Sequence, residues 1–124
     1  MRKRLRWWLP AVVVVATVLV LGRQPLLNRF DLYLGNRALA DLEFARATEL
    51  GERVLERDPV SAEGLLLAGR GQAGLRQHDR ALATFDQVPD ERGDTAVAAR
   101  LAAGDILLRR LHQLSAAEQQ FRRA

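Results

Sequence analysis

With 124 residues, the chain has room for one small domain and an accessory segment, but not for two ordinary globular domains. Apolar residues make up 48% and charged residues 27%, so most of it is expected to fold. The lack of cysteine excludes a disulfide framework, a thiolate zinc site, an iron–sulfur cluster, a cysteine nucleophile and a lipidated N-terminal cysteine.

The formal charge of +4 is unevenly divided. Arg2, Lys3, Arg4, Arg6 and Arg23 put +5 into residues 1–23, where there is no acid. Residues 24–124 hold 14 basic and 15 acidic side chains, a net of −1 with the signs interspersed. A phosphate-tracking surface needs a concentrated basic face. None is present, and no nucleic-acid partner is expected.

The first predicted element is a membrane helix. Residues 1–6 form a basic head, and the sixteen residues from Trp7 to Gly22 carry no charge. At a rise of ~1.5 Å per residue they span roughly 24 Å, a little short of a ~30 Å hydrocarbon core. Trp7 and Trp8 suit the headgroup level, and Arg6 and Arg23 can snorkel outward. The positive-inside bias predicts a single-pass anchor over 7–22 in the cytoplasmic membrane, with the N-terminus cytoplasmic and the rest extracytoplasmic. The alternative is a cleaved signal peptide and a secreted or periplasmic product, although Val20-Leu21-Gly22 is a weak cleavage site.

Residues 23–27, around Pro25, are expected to form a linker. Beyond it the chain is rich in Ala, Leu, Arg and Glu, has no hairpin dipeptide, and repeats apolar residues at three and four. Breaks are expected at Asp58-Pro59 and from Pro89 to Gly93, with Ser61 and Asp79 as helix caps. Ser115-Ala116-Ala117-Glu118 reads as a capping box opening a last helix, which places His78 and His112 at turns.

Self-alignment exposes a period. Ala47, Ala81 and Ala117 are 34 and 36 residues apart, as are Gly35, Gly69 and Asp105. Phe85 and Phe121 each follow their alanine by four. The pattern predicts an all-α fold of paired helices over 28–60, 61–93 and 94–124. Its packing positions are Leu34, Gly35, Ala47, Leu65, Ala68, Gly69, Ala81, Phe85, Leu101, Ala117 and Phe121. Small residues let backbones approach, and large ones fill the space beside them.

At these residues the chain resembles the tetratricopeptide repeat family over roughly 28–124. Leu34-Gly35, Ala47 and Asp58-Pro59 carry the resemblance in the first unit. Leu65, Ala68-Gly69, Ala81 and Phe85 carry it in the second, and Leu101, Leu108, Ala117 and Phe121 in the third. Asp31, Gly51 and Gln72 depart from the family pattern.

The resemblance implies a right-handed solenoid of about three hairpins. In such proteins the first helix of each unit lines a groove for a peptide or a partner's helix. Here that groove would be built from Arg29, Tyr33, Asn36, Glu63, Leu66, Arg70, Ile106 and Arg109, a mix suited to an acidic segment.

No catalytic, cofactor or metal constellation is found. Glu49, Glu52 and Glu56 interleave with Arg53 and Arg57 as an ion-paired face, and Gly69, Gly71 and Gly74 lack the lysine and preceding strand of a phosphate loop. The expected function is a membrane-anchored interaction module or scaffold that recruits a protein or peptide, and not an enzyme. The alternatives are the anchoring part of a larger enzyme or assembly factor, and a structural protein that self-associates through the exposed C-terminal stripe.

Overall fold

The computed structural model describes residues 2–123, with side chains from Trp7 onward. The side chains of the basic head lie outside the described residues. The elements are α1 (Arg2–Ala40), α2 (Phe44–Arg57), α3 (Ala62–Gly74), α4 (His78–Asp86), a 3-10 turn (Asp90–Arg92) and α5 (Asp94–Arg123). No strand occurs among the described residues. The chain divides into two compact units, residues 1–30 and 31–124, and α1 contributes residues 31–40 to the second.

In the first unit the apolar run is wholly exposed, as lipid-facing side chains would be. The segment Trp7–Ala40 is the one helix among the described residues long and apolar enough to cross a membrane. The expected linker at 23–27 is corrected: these residues are helical and Pro25 lies inside α1. Proline removes one N–H and so one backbone bond. The helix formers Gln24, Leu26 and Leu27 carry the helix through.

In the second unit the 34-residue period is visible as a repeated turn. After α1, the Leu42 N–H donates to the Leu39 carbonyl at 3.1 Å and the Glu43 N–H to the Ala38 carbonyl at 2.8 Å. After α3, the Arg76 N–H donates to the Ala73 carbonyl at 3.0 Å and the Gln77 N–H to the Gln72 carbonyl at 2.9 Å. Leu42 and Arg76 both take left-handed backbone, with φ of 60° and 62°. This pair of bonds about a left-handed residue is the Schellman closure, which satisfies the last carbonyls of a helix and reverses the chain. The two closures are built from residues 34 positions apart.

Helices α2 and α3 run antiparallel with almost no side-chain layer between them. A Cβ added to Gly51 would lie 2.7 Å from the Ala68 nitrogen, and one on Gly64 would lie 2.9 Å from Val54. Gly71 faces Thr48, and Gly74 faces the Phe44 ring. The four pairs advance along α2 as they retreat along α3, so they form one close-packed seam.

Two apolar clusters flank that seam. One joins Ala38, Ala47, Leu50 and Leu67. The other joins Ala62, Leu65, Ala81, Phe85, Val88, Ala96, Ala99 and Ile106. Ser61 caps α3, accepting from the Gly64 N–H at 3.1 Å. Arg100 holds α5 to the end of α4, donating to the Phe85 carbonyl at 2.9 Å and the Val88 carbonyl at 3.0 Å.

The third hairpin is corrected. Helix α5 runs unbroken through residues 112–115, so His112 is helical and Ser115 caps nothing. Glu118, expected in the capping box, pairs instead with Arg122 at 2.8 Å. The packing expected of Leu101, Ala117 and Phe121 is absent, because all three are exposed. In the second unit the Phe85 ring seats on Gly69. The corresponding seat for Phe121 would be Asp105, where a carboxylate replaces the bare glycine. Nothing between Arg109 and Glu118 breaks a helix either.

The cap expected at Asp79 is also corrected. Gln77 holds the cap position, and Asp79 pairs with Arg110 at 2.6 Å.

Asp31, one of the three departures from the expected pattern, is buried and accepts from Arg57 at 2.7 Å. Its side chain is 10% exposed and that of Arg57 is 26%. Asp31→Ala is expected to cost about 2 kcal/mol, less than a wholly buried pair because water reaches the guanidinium. The double variant Asp31→Leu, Arg57→Met should regain most of that loss in thermal unfolding followed by circular dichroism.

Candidate interaction surface

The second unit carries a cationic cleft of about 280 Å³ between the start of α2 and α3, α4 and α5. Its apolar floor is Phe44, Ala73, Gly74 and Ile106, and its polar wall is Arg76, His78, Arg109, Arg110 and Gln113. Each basic residue reaches the cleft for a local reason. Arg76 is the left-handed residue of the second Schellman closure, which turns it out of the helix line. His78 opens α4. Arg109 and Arg110 follow Ile106 by three and four positions, close to one face of α5.

The arginines are not equally available. Arg110 is tied to Asp79 at 2.6 Å and Arg109 to Asp105 at 3.1 Å. Arg76 has no carboxylate within ion-pair distance among the described residues. Three guanidinium groups against two carboxylates leave the cleft with a net positive charge and one uncommitted fork. A planar guanidinium suits bidentate contact with a carboxylate.

Nδ1 of His78 is buried without a hydrogen-bond partner. Phe44 occupies the same position one period earlier and opens α2. His78→Phe is therefore expected to raise stability by about 1 kcal/mol by removing a desolvated nitrogen, with the cleft giving the larger ring room. Denaturant unfolding checks this.

The predicted groove is only partly gathered. Ile106 and Arg109 reach the cleft, but Ile106 is 5% exposed and serves the core, which corrects its groove role. Leu66 is half-buried against the core cluster. Tyr33 and Asn36 stand exposed on α1, and Glu63 and Arg70 on α3, none of them in the cleft wall. Arg29 is exposed and belongs to the first unit.

Arg76 and His78 are cleft residues that the groove prediction omitted. The signal for Arg76 was its 34-residue spacing from Leu42 across a turn. Among the described residues no group of three His, Cys, Asp or Glu side chains converges as a metal site would require.

Comparison of the chain with protein families, with curated proteins and with solved structures gives no match.

Proposed function

We propose that the protein is a single-pass, membrane-anchored interaction module of the tetratricopeptide type, which recruits an acidic segment of a protein partner on the extracytoplasmic side. The observation that carries the reading is the cationic cleft, with Arg76 uncommitted above an apolar floor. An extended peptide with alternating acidic and apolar side chains matches that arrangement, the acids meeting the guanidinium groups and the apolar residues meeting Phe44 and Gly74. The repeated closures at Leu42 and Arg76 support the repeat reading, and the exposed apolar run of α1 supports the anchor.

The test uses the full chain in detergent micelles and a fluorescent peptide alternating Glu and Leu. Fluorescence anisotropy is expected to show binding that weakens with salt, while a peptide with Lys for Glu does not bind. Arg76→Glu together with Arg109→Glu should weaken binding at least tenfold, about 1.4 kcal/mol. Equal affinity of the variant and the original chain for the acidic peptide would sink the cleft as the site. The absence of native cysteine allows a single introduced cysteine at Gln120 to report topology through a membrane-impermeant maleimide.

A further inference from the structure

Beyond Arg110, α5 buries no side chain against the other described residues. Its buried residues are Ala96, Ala99 and Ile106, while every residue from 111 to 123 is exposed. An isolated helix of that length is marginal in water. Along α5 stand Leu101, Leu107, Leu108, Leu111, Leu114 and Phe121, each between 49% and 82% exposed. Leu107, Leu108, Leu111 and Leu114 follow one another at three and four, and Leu101 and Phe121 lie seven residues beyond Leu108 and Leu114, across Gly104 and Glu118.

We propose that this stripe pairs with the same stripe of a second copy, antiparallel and centred on Leu111. The area suits that occupant. The six side chains expose ~700 Å² on each copy, so a symmetric pair buries up to about 1,400 Å², within the range of stable interfaces. The direction follows from charge. A parallel pair opposes every residue to itself and sets Glu118 against Glu118. Antiparallel pairing about Leu111 brings Leu108 opposite Leu114 and Leu101 opposite Phe121, and it moves Glu118 opposite Gly104. Apart from its chain neighbours and the backbone of its own helix, no described atom lies within 4 Å of the place a Gly104 side chain would fill, so the carboxylate and its Arg122 partner have room there. The cationic cleft plays no part in this contact, and loss of peptide binding leaves it untouched.

The test exploits the cysteine-free sequence. In the full chain in micelles, Leu111→Cys is expected to give covalent dimers on mild oxidation. Copies carrying Leu101→Cys mixed with copies carrying Phe121→Cys should cross-link together, and neither should do so alone. Gln120→Cys, on the opposite side of α5, measures chance collision. Cross-linking of Leu111→Cys no greater than that background overturns the proposal, as does a Phe121→Cys chain that cross-links with itself as readily as the mixture. Leu111→Glu should reduce the dimer fraction at least tenfold in sedimentation, with the helical signal kept. A chain that is monomeric at high micromolar concentration, as it would be if another protein covered this face, also overturns it.

Discussion

Gly71→Val is expected to lower stability by about 3 kcal/mol, a large share of the 5–15 kcal/mol that holds an ordinary domain together. A Cβ at Gly71 would meet the Thr48 hydroxyl, the Thr48 nitrogen at 2.8 Å and the Phe44 carbonyl at 3.0 Å. Two of those three atoms are backbone, so no rotamer change relieves the clash. The Thr48 hydroxyl is itself bonded to the Phe44 carbonyl at 2.8 Å. Helices α2 and α3 must separate, and the whole seam loosens. For a unit of this size the melting temperature should fall by roughly 12–24 °C. Gly104→Ala is the control. With open space at that position, the substitution should be neutral or stabilising by up to about 1 kcal/mol through helix propensity. Thermal unfolding of both variants checks the pair, and a Gly71→Val loss no larger than that of Gly104→Ala would show that close approach at Gly71 does not hold the seam.

The second large effect is expected at Phe85. Its side chain is fully buried within the cluster formed by α3, α4 and α5, and its ring lies on Gly69. Phe85→Ala should cost about 3–5 kcal/mol, combining lost burial with an unfilled cavity. A coupled measurement tests the contact itself. In the original chain Gly69→Ala is destabilising, because the new Cβ would stand 2.7 Å from Cδ1 and 2.9 Å from Cζ of the ring. In the Phe85→Ala background the same change should become stabilising. Additive effects in the double-mutant cycle would show that Gly69 and Phe85 do not act as a pair.

These expectations show which parts of the fold were legible in the sequence. The spacing that aligns Ala47 with Ala81 also relates the closures at Leu42 and Arg76, because one period carries both the small packing residue and the turn before it. Helix breaks at Asp58-Pro59 and near Gly93 are chemically marked and coincide with the ends of α2 and the start of α5. The continuity of α5 was hidden. A capping box is a local signal, and it yields when closing the hairpin would press Phe121 onto Asp105 instead of glycine. Pro25 misled in the same way, since an interior proline weakens a helix without always ending it.

The candidate site was less legible than the fold. Arg109 could be named from its helix, but its neighbours in the cleft come from a turn and from the start of another helix. The role of Asp31 was not legible either, because its partner Arg57 lies 26 residues away. Ion pairs across such distances leave no periodic trace.

The brevity of α4 has a further consequence. Nine residues are too few for a helix to persist unaided, and α4 has no side-chain cap at its first residue. It is held from outside, by the Phe85 ring on one side and by the Arg100 clamp on its final carbonyls. Amide protons of α4 should therefore exchange together and earlier than those of the α2–α3 seam, as one cooperative opening. A protease presented with the native protein would cut α4 before the α2–α3 seam, and Arg100→Ala would hasten that cut.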